Sequence, residues 1–407
     1  MTRLLAALLV SLTMGAPIAH AAWPDGEIRL GVLTDLSGIY SDATGTGSVA
    51  AVKLAVEDCL AGPCHGMTID VLQADHQNKP DIALAIARQW IDRDGVDALI
   101  DMSNAAIQLA VPPLARAKNR VALFAGGTAR LSGDACEPAH IVQWMWDTYA
   151  QVAGVARRLT KPGTTWHLVT ADYAFGHQFE ADAKDIVTAA GGQVLGSTRH
   201  PFPSTDLTAF MLRAQASGAD IVALANAGSD TLNGIKAAGE FGVGLGDAAR
   251  GGQKLVAFYL SVLDVKALGL PAAAGLVLTE GFYWDLDEGT RRFAHRFEAR
   301  VGRMPSQIQA SLYSETLHYL KAAASIRSRE ATAVIRAMHA LPIEDDVVRN
   351  ARLRRDGRMV HDYYVFQVKT PSASTGPWDL YRLLDTIPGD QAFRPADPAL
   401  CPRMLAP

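Results

Sequence analysis

The chain has 407 residues, of which 49% are hydrophobic and 20% charged, and its formal net charge is −4. This length accommodates two domains with separate cores, and the composition is that of a globular protein. The negative charge argues against nucleic acid as a partner, because nucleic-acid binding needs a basic surface.

The first residues are typical of an export signal. Arg3 precedes an apolar run at 4–19, and Ala19-His20-Ala21 has the small-x-small pattern that signal peptidase cleaves. The run is too short and too interrupted for a permanent membrane-spanning helix. We therefore expect a signal peptide at 1–21, cleavage after Ala21 and release into the periplasm. No cysteine lies at the predicted cut, so a lipid anchor is not expected.

Short apolar runs then alternate with helical patterns. Strands are predicted at 28–33, 67–73, 97–101, 121–124, 165–170, 193–197, 220–225, 254–259 and 275–279, and helices at 47–60, 80–93, 104–118, 148–160, 176–190, 206–217, 230–241, 288–302, 306–327 and 330–340. Such alternation predicts an α/β fold with parallel sheets covered by helices on both faces. The pattern occurs once before about residue 147 and once after it, with an aromatic crossing at 140–151 between the halves.

The C-terminal part of the chain has a different pattern. Residues 351–368 predict a hairpin with Asp356-Gly357 at its turn. Its basic cluster, which consists of Arg352, Arg354, Arg355 and Arg358, is interpreted as the solvated surface of this hairpin. The segments 370–377 and 387–407 are rich in residues that favour loops.

The four cysteines are expected to form disulfides, because an exported chain meets an oxidising environment. Cys59 and Cys64 lie close enough in sequence to close a short loop, and Cys136 and Cys401 would then form the second pair. Four cysteines allow three connectivities, so the pairing stays open at this point. Zinc binding is the rival interpretation, but the spacing matches no zinc motif.

The motifs favour binding over catalysis. Residues 45–50 match the GxGxxA dinucleotide pattern, but the preceding strand ends near Leu33, too far away for that mechanism. The sequence contains no GxSxG, HExxH or Walker A motif, and its histidines lack metal-ligand spacing. We therefore expect no cofactor, no metal and no enzymatic activity.

Small polar and aromatic residues follow the predicted strands. Examples are Tyr40, Ser103 with Asn104, Gly127 with Thr128, Tyr173 with Phe175, and Asn226. Open parallel sheets bind ligands at the carboxyl ends of their strands, where helix starts offer unpaired N–H groups. Capping alone explains a serine or asparagine at such a place but does not explain the aromatic residues. The pattern predicts a binding cleft.

Four segments carry a family resemblance, namely 28–58, 103–129, 170–196 and 297–323. Their order and spacing resemble the periplasmic substrate-binding proteins of ABC importers, of the Leu/Ile/Val-binding (type I) family, over about 27–370. The resemblance implies two Rossmann-like lobes with parallel sheets, joined by three hinge crossings. Lobe 1 would comprise 27–147 with 279–350 and lobe 2 would comprise 148–278 with 351–386, leaving 387–407 as a tail.

The resemblance also implies a set of ligand-binding residues. The segment SNAAIQLAVPP looks like the family's SSxxxxLAVxP loop, AGGTA looks like its amide-donating segment, and ADYAFG looks like its DYxYG motif. These motifs point to Ser103, Asn104, Gly127, Thr128, Tyr173 and Phe175, and segments that line the cleft in relatives add Tyr40, Asn226, Tyr259 and Glu280. Trp146 and Tyr149 of the crossing are either ligand contacts or hinge packing.

The implied function is capture of a small solute for an inner-membrane ABC permease by a monomeric protein. Glu280, Asp147 and Asp230 are the candidates for an acid that would bind a ligand ammonium group. Amino acid, aromatic acid and amide all remain open as the solute. A ligand-sensing module would share the fold, and an exported hydrolase is the alternative from another class.

Overall fold

The computed structural model describes residues 26–244 and 252–406, so the predicted signal peptide lies outside the described residues. The elements alternate as the sequence predicts. In chain order they are β1 (Glu27–Thr34), α1 (Gly45–Leu60), β2 (Thr68–Asp75), α2 (Pro80–Asp92), β3 (Ala98–Asp101), α3 (Ala105–Lys118), β4 (Val121–Gly127), β5 (Ile141–Asp147), α4 (Thr148–Leu159), β6 (Thr165–Ala171), α5 (Ala174–Ala189), β7 (Gln193–His200), α6 (Thr208–Ala216), β8 (Ile221–Ala225), α7 (Ser229–Glu240), β9 (Lys254–Ala257), α8 (Val262–Leu268), α9 (Leu270–Ala273), β10 (Val277–Glu280), α10 (Glu288–Val301), α11 (Gln307–Ile326), α12 (Ala331–Ala340), β11 (Arg352–Leu353), β12 (Met359–Val360), β13 (Tyr363–Val368), β14 (Tyr381–Ile387) and α13 (Gly389–Ala392).

Two parallel sheets form the cores of two lobes, which confirms the predicted α/β fold. The first sheet has the strand order β2-β1-β3-β4-β5 and the second has the order β7-β6-β8-β9. Helices α1 and α11 pack together on the first sheet, while α4 and α5 pack together on the second. The antiparallel strands β10, β13 and β14 lie beside the second sheet, and β10 and β13 contact α4. The chain passes between the lobes after β5, after β10 and after β12.

The aromatic crossing is partly a strand. Residues 141–147 form β5, which pairs with β4 as the edge of the first sheet, and α4 begins at the next residue. All seven residues of β5 are buried, so the segment lacks the alternation of a strand with one solvent-exposed face. Unlike the fully buried strands that the sequence pattern did predict, β5 has an apolar run that is interrupted by Gln143.

The predicted hairpin is present but shorter than expected. Strands β11 and β12 pair antiparallel, and the Gly357 N–H donates to the Arg354 carbonyl. Strand β13 instead pairs with β10 and β14. The prediction of a solvated basic cluster is wrong at Arg358, which is fully buried. Its Nε lies 3.4 Å from Asp147 Oδ2, and its guanidinium carbon lies 4.0 Å from the centre of the Phe393 ring.

The lobe boundaries remain a prediction, but several contacts bear on them. Arg358 pairs with Gln143 of β5 in the first lobe, although the sequence interpretation assigns 351–386 to lobe 2. Residues 279–280 belong to β10, which contacts α4 of the second lobe rather than the first sheet. The second and third crossings therefore lie a little later in the chain than the predicted divisions.

Both predicted disulfides are present, Cys59–Cys64 and Cys136–Cys401. The second joins the tail to the first lobe across a sequence separation of 265 residues. Arg394 of the same tail also lies 2.7 Å from Asp182 of α5 in the second lobe. The tail thus contacts both lobes.

Within residues 26–244 and 252–406, no helix is both long and apolar enough to cross a membrane.

The glycine pattern at the start of α1 has a packing role, because a Cβ at Gly47 would lie 2.1 Å from the Gln309 amide nitrogen. Close approach of α1 to α11 therefore requires glycine there.

Candidate functional site

A cavity of about 150 Å³ lies between the two lobes, at the carboxyl ends of their strands. Its lining includes eight of the residues predicted from the sequence, which are Tyr40, Ser103, Asn104, Gly127, Trp146, Tyr173, Phe175 and Tyr259. These residues follow strands of both sheets, where open α/β folds bind ligands. The two lobes thus contribute opposite walls of one chamber.

The start of α3 positions two of the lining residues. The Asn104 side chain caps the helix by accepting hydrogen bonds from the N–H groups of Ala106 and Ile107. The Ser103 hydroxyl donates to Asp101 at the end of β3, and Asp101 itself is buried. Both side chains therefore already have partners within the protein, Asn104 at the cap and at Asn78, and Ser103 at Asp101.

Aromatic rings form one wall of the cavity. The Trp146 ring lies 5.0 Å from the Tyr259 ring and meets Phe175 edge-on at 6.1 Å. Gly126 makes room for the indole, because a Cβ at this position would lie 2.3 Å from it. The Tyr259 hydroxyl is buried, and burial raises the pKa of Tyr259 well above its usual value, so the hydroxyl stays protonated.

The lobes meet over the cavity through a second aromatic group. The hydroxyl oxygens of Tyr40, in the first lobe, and Tyr173, in the second, lie 2.5 Å apart. The Tyr173 ring stacks on Phe202 with the ring centres 3.9 Å apart, and the Tyr40 ring stacks on Phe202 at 6.3 Å. The structure is therefore a closed form, in which these rings cover the cavity.

Several helix N-termini converge on the cavity. The N-cap residues of α1, α3, α5 and α7 are Thr44, Asn104, Tyr173 and Gly228, and all four line it. The N-cap side chains of α1 and α5 form no capping hydrogen bond, although the Gly45 N–H of α1 donates to the Thr34 hydroxyl, and the N-cap of α7 is a glycine without a side chain. Since helix N-termini carry partial positive charge and unpaired N–H groups, they favour an anionic group in the cavity.

Charged side chains contribute little to the lining. Among the described residues, no lysine or arginine lines the cavity. Asp42 does so, but its side chain is 92% exposed. Asp264 also lines it and caps α8, accepting hydrogen bonds from the N–H and hydroxyl of Ser261. Burial raises the pKa of Asp264 to about 6, which weakens it as a fixed negative charge.

Four predicted residues do not line the cavity. The Thr128 N–H donates to Gln108, and the Asn226 amide lies 3.2 Å from His200 Nε2. Tyr149 accepts a hydrogen bond from Arg157, near the tail. Glu280 is buried beside Val262 and Asp264, and burial raises the pKa of this carboxyl far enough to favour its protonated form. Of the two possibilities for the crossing, Trp146 faces the cavity and Tyr149 does not.

The other candidate acids are occupied elsewhere. Asp147 caps α4 by accepting from the Ala150 N–H and lies beside Arg358. Asp230 accepts from the Ser204 N–H and lies 3.8 Å from His200. Neither lines the cavity. A ligand ammonium group would therefore find none of the predicted acids in contact with it.

Sequence reasoning missed Gln108, a buried residue on α3 that lines the cavity. Its amide donates to the Gly126 carbonyl and accepts from the Thr128 N–H, so it holds the end of β4 in place. Gly127 has φ +136°, and a Cβ there would lie 1.9 Å from Gln108. The only signal in the sequence was the helical spacing of Gln108 one turn after Asn104.

Comparisons with known proteins agree with this geometry. A family model described as periplasmic binding protein matches residues 27–376. A periplasmic binding protein from Burkholderia mallei has 41% identity and a TM-score of 0.84, with 91% of this chain and 96% of that chain covered. A branched chain amino acid ABC transporter periplasmic ligand-binding protein from Burkholderia xenovorans LB400 has 37% identity and a TM-score of 0.80. The match covers 90% of this chain and 97% of that chain.

More distant proteins share the fold. A solute binding protein of an R. palustris ABC transporter, solved in complex with benzoate, has 19% identity and a TM-score of 0.76, covering 92% of this chain and 99% of that chain. Leu/Ile/Val-binding protein homolog 6 from Brucella melitensis has 25% identity over 237 residues. That match covers 56% of this chain and 58% of the relative's length. From the family match and the Burkholderia structures, the chain belongs to the periplasmic binding protein family.

Proposed function

We propose that this protein binds a small carboxylate with an aromatic body between its lobes and presents it to an inner-membrane ABC permease. The observation that carries the proposal is the meeting of uncapped helix N-termini with an aromatic wall in one closed cavity. The N-termini would bind the carboxylate through N–H groups, and the rings would contact the apolar body.

The size of the cavity supports a solute with a single ring. Its volume is about 150 Å³, and an apolar protein cavity of about this size accommodates benzene. Trp146, Phe175 and Tyr259 supply flat apolar surfaces on which an aromatic ring can lie edge-on or offset. The benzoate complex of the R. palustris protein with the same fold is consistent with this choice.

An amino acid is the competing solute. Its ammonium group needs an ionised acid or several acceptors, because an unpaired buried charge is strongly unfavourable. Asp264 is the nearest candidate, but its Oδ2 already accepts two hydrogen bonds at the α8 cap, and its raised pKa of about 6 makes its ionisation less complete than that of an ordinary aspartate. With one partly engaged carboxylate of this kind in the lining and several helix N-termini converging on it, the cavity favours an aromatic carboxylate without an ammonium group.

The proposed place of action is the periplasm, where the protein would work as a monomer. The family to which the chain belongs and the export pattern around Ala21 support this location. The paired cysteines are also typical of an oxidising compartment. Light scattering of the purified protein tests the oligomeric state, and a dimer would contradict it.

The test is binding of benzoate, phenylacetate, benzamide, leucine and valine to protein that has been unfolded and refolded to remove bound solute. A ligand at about 100 times its dissociation constant raises the unfolding free energy by about 2.7 kcal/mol, which a thermal melt resolves. We expect benzoate or phenylacetate to raise the melting temperature and leucine to leave it unchanged. Stabilisation by leucine alone would overturn the choice of solute.

A matched pair of tyrosine variants tests the site itself. Tyr173→Phe removes a hydroxyl from the cavity wall, whereas Tyr149→Phe removes one outside the cavity. We expect weaker aromatic-acid binding from the first variant and unchanged binding from the second, as measured by calorimetry. Equal effects from both would place the ligand elsewhere.

A further inference from the structure

Asp101 occupies an unusual position at the end of β3, immediately before the cavity. It is 1% exposed, and it accepts the hydroxyl hydrogen of Ser103, which lines the cavity. A serine hydroxyl has one hydrogen, so a serine that donates to Asp101 can only accept a hydrogen bond from a ligand. This conflicts with a carboxylate ligand, which offers only acceptors.

The backbone holds the two side chains together. Asp101 has φ +81° and Met102 has φ +56°, a left-handed conformation that residues other than glycine rarely adopt. The Met102 N–H donates to the Leu33 carbonyl, and the Asn104 N–H donates to the Met102 carbonyl. This tight turn returns Ser103 to the Asp101 carboxyl, and such strained backbone is concentrated at functional sites.

We propose that Asp101 is a positioning residue that sets the hydrogen-bond direction of Ser103, and that the protein binds its carboxylate solute with Asp101 protonated. A protonated Asp101 donates to Ser103 Oγ, and the Ser103 hydrogen then turns toward the ligand carboxylate. An ionised Asp101 reverses both bonds and leaves lone pairs facing that carboxylate. The inference rests on the proposed function, because it concerns the same cavity and the same class of solute.

The surroundings of Asp101 are consistent with a proton on this group. Burial raises the pKa of Asp101 and outweighs the hydrogen bonds from the Ser103, Thr34 and Ser48 side chains, which act in the opposite direction. Glu315 of α11 is buried near Asp101, and burial raises its pKa well above its usual value, which favours its uncharged form. His76 faces Asp101 from the loop after β2, with Asp35 and Asp75 beside it, and burial lowers the pKa of His76.

The experiment measures the dissociation constant of benzoate and of benzamide between about pH 5.5 and about pH 8, a range in which benzoate stays ionised. We expect the wild-type protein to bind benzoate about tenfold more weakly at the high end, the size of one hydrogen bond to a charged group. Benzamide both donates and accepts, so its dissociation constant should change much less.

Variants separate the contribution of Asp101 from other titrations. Asp101→Asn carries an NH₂ group that can donate to Ser103 at every pH, so it should bind benzoate at high pH as tightly as the wild type does at low pH. Ser103→Ala should bind benzoate weakly at every pH and should lose the pH dependence. This variant tests the proposal if Asp101→Asn does not fold. Asp264→Asn removes a lining group that also titrates in this range, so the pH dependence that remains in this variant is the part due to Asp101.

The outcomes are distinguishable. If the wild type binds no aromatic carboxylate at any pH, the proposed function and this inference both fail. If it binds benzoate with a flat pH profile, or if Asp101→Asn and Ser103→Ala keep the wild-type profile, only this inference fails. If folded Asp101→Asn binds benzoate more weakly than the wild type does at high pH, this inference also fails. A purely structural role of Asp101 predicts this loss of affinity, whereas the proposal predicts a gain.

Discussion

The hydroxyl oxygens of Tyr40 and Tyr173 lie 2.5 Å apart and connect the two lobes across the mouth of the cavity. Burial raises the pKa of both hydroxyls, so each keeps its hydrogen and one donates to the other. Phe202 stacks on the Tyr173 ring beside this contact. This bond joins the two lobes in the closed form.

Tyr40→Phe should weaken solute binding about fivefold, because one neutral hydrogen bond contributes about 1 kcal/mol. Tyr173→Phe should have a similar effect, and the double variant should be little worse than either, since both changes remove the same bond. Calorimetry with the solute identified in the melting screen measures this. Additive effects of the two changes would show that the hydroxyls act independently.

Gly126→Ala should displace the Trp146 indole and close part of the cavity. The added Cβ would lie 2.3 Å from the indole ring, well inside contact distance. We expect a loss of about 1–3 kcal/mol in the free energy of unfolding and a large loss of solute affinity. Chemical denaturation and calorimetry measure the two effects.

Gly239→Ala is the matched control for that substitution. A Cβ at Gly239 would meet nothing within 4 Å, and the residue lies in α7. Alanine should stabilise the helix by about 0.5–1 kcal/mol and leave solute affinity unchanged. If Gly126→Ala behaves in the same way, the indole does not form a wall of the binding site.

Asp264→Asn should change how stability depends on pH. The pKa of Asp264 in the folded protein is about 6, above its ordinary value of 3.8, so the folded state holds this proton more tightly than the unfolded chain does. The contribution of Asp264 to stability therefore falls as the pH rises from about 4 to about 6. Asparagine can still accept a hydrogen bond at the α8 cap and does not ionise.

We expect Asp264→Asn to raise the free energy of unfolding at pH 7 by up to about 3 kcal/mol, and to change it little at pH 4. Urea denaturation of both proteins at several pH values measures the difference. A variant that is less stable than the wild type at pH 7 would show that the ionised carboxylate makes favourable contacts in the folded state.

The two disulfides should differ in their effect on stability. In the chain-entropy account, a crosslink stabilises more when it closes a longer loop, and the sequence separations are 5 and 265 residues. Replacing Cys136 and Cys401 by serine should lower the free energy of unfolding by about 5 kcal/mol, against about 2 kcal/mol for Cys59 and Cys64. Thermal melts of the two double variants measure this, and an equal loss would contradict the loop-length argument.

The sequence predicted the fold in detail because its signals are local. Apolar runs and helical periodicity depend on neighbouring residues only, and they predicted most strands and helices around the cavity close to their observed bounds, but not the short helix α8. β5 was missed because Gln143 interrupts its short apolar run, whereas the apolar runs of the fully buried strands β3 and β8 are uninterrupted. Arg358 was misplaced because burial of a guanidinium depends on Asp147 and Phe393, both distant in sequence.

The site was only partly accessible to the same reasoning. Ser103, Gly127 and Tyr173 follow strands directly, so the carboxyl-end rule for parallel sheets placed them in the cavity. Asn226 follows a strand in the same way, yet its amide turns to His200 and Thr231. Gln108 and Asp264 lie inside or at the start of helices and carry no strand-end signal. These residues differ in the direction in which the side chain points and in the partner with which it forms a hydrogen bond.

The sequence by itself determined the order of the elements, the family and which residues stand at strand ends, because each of these is written in short stretches of chain. Only the tertiary structure decided which of those residues face one another. Tyr40 and Tyr173 are 133 residues apart in sequence and meet because the lobes close. Whether a strand-end side chain faces a ligand, a helix N–H or a buried carboxyl depends on such long-range packing, which no local pattern encodes.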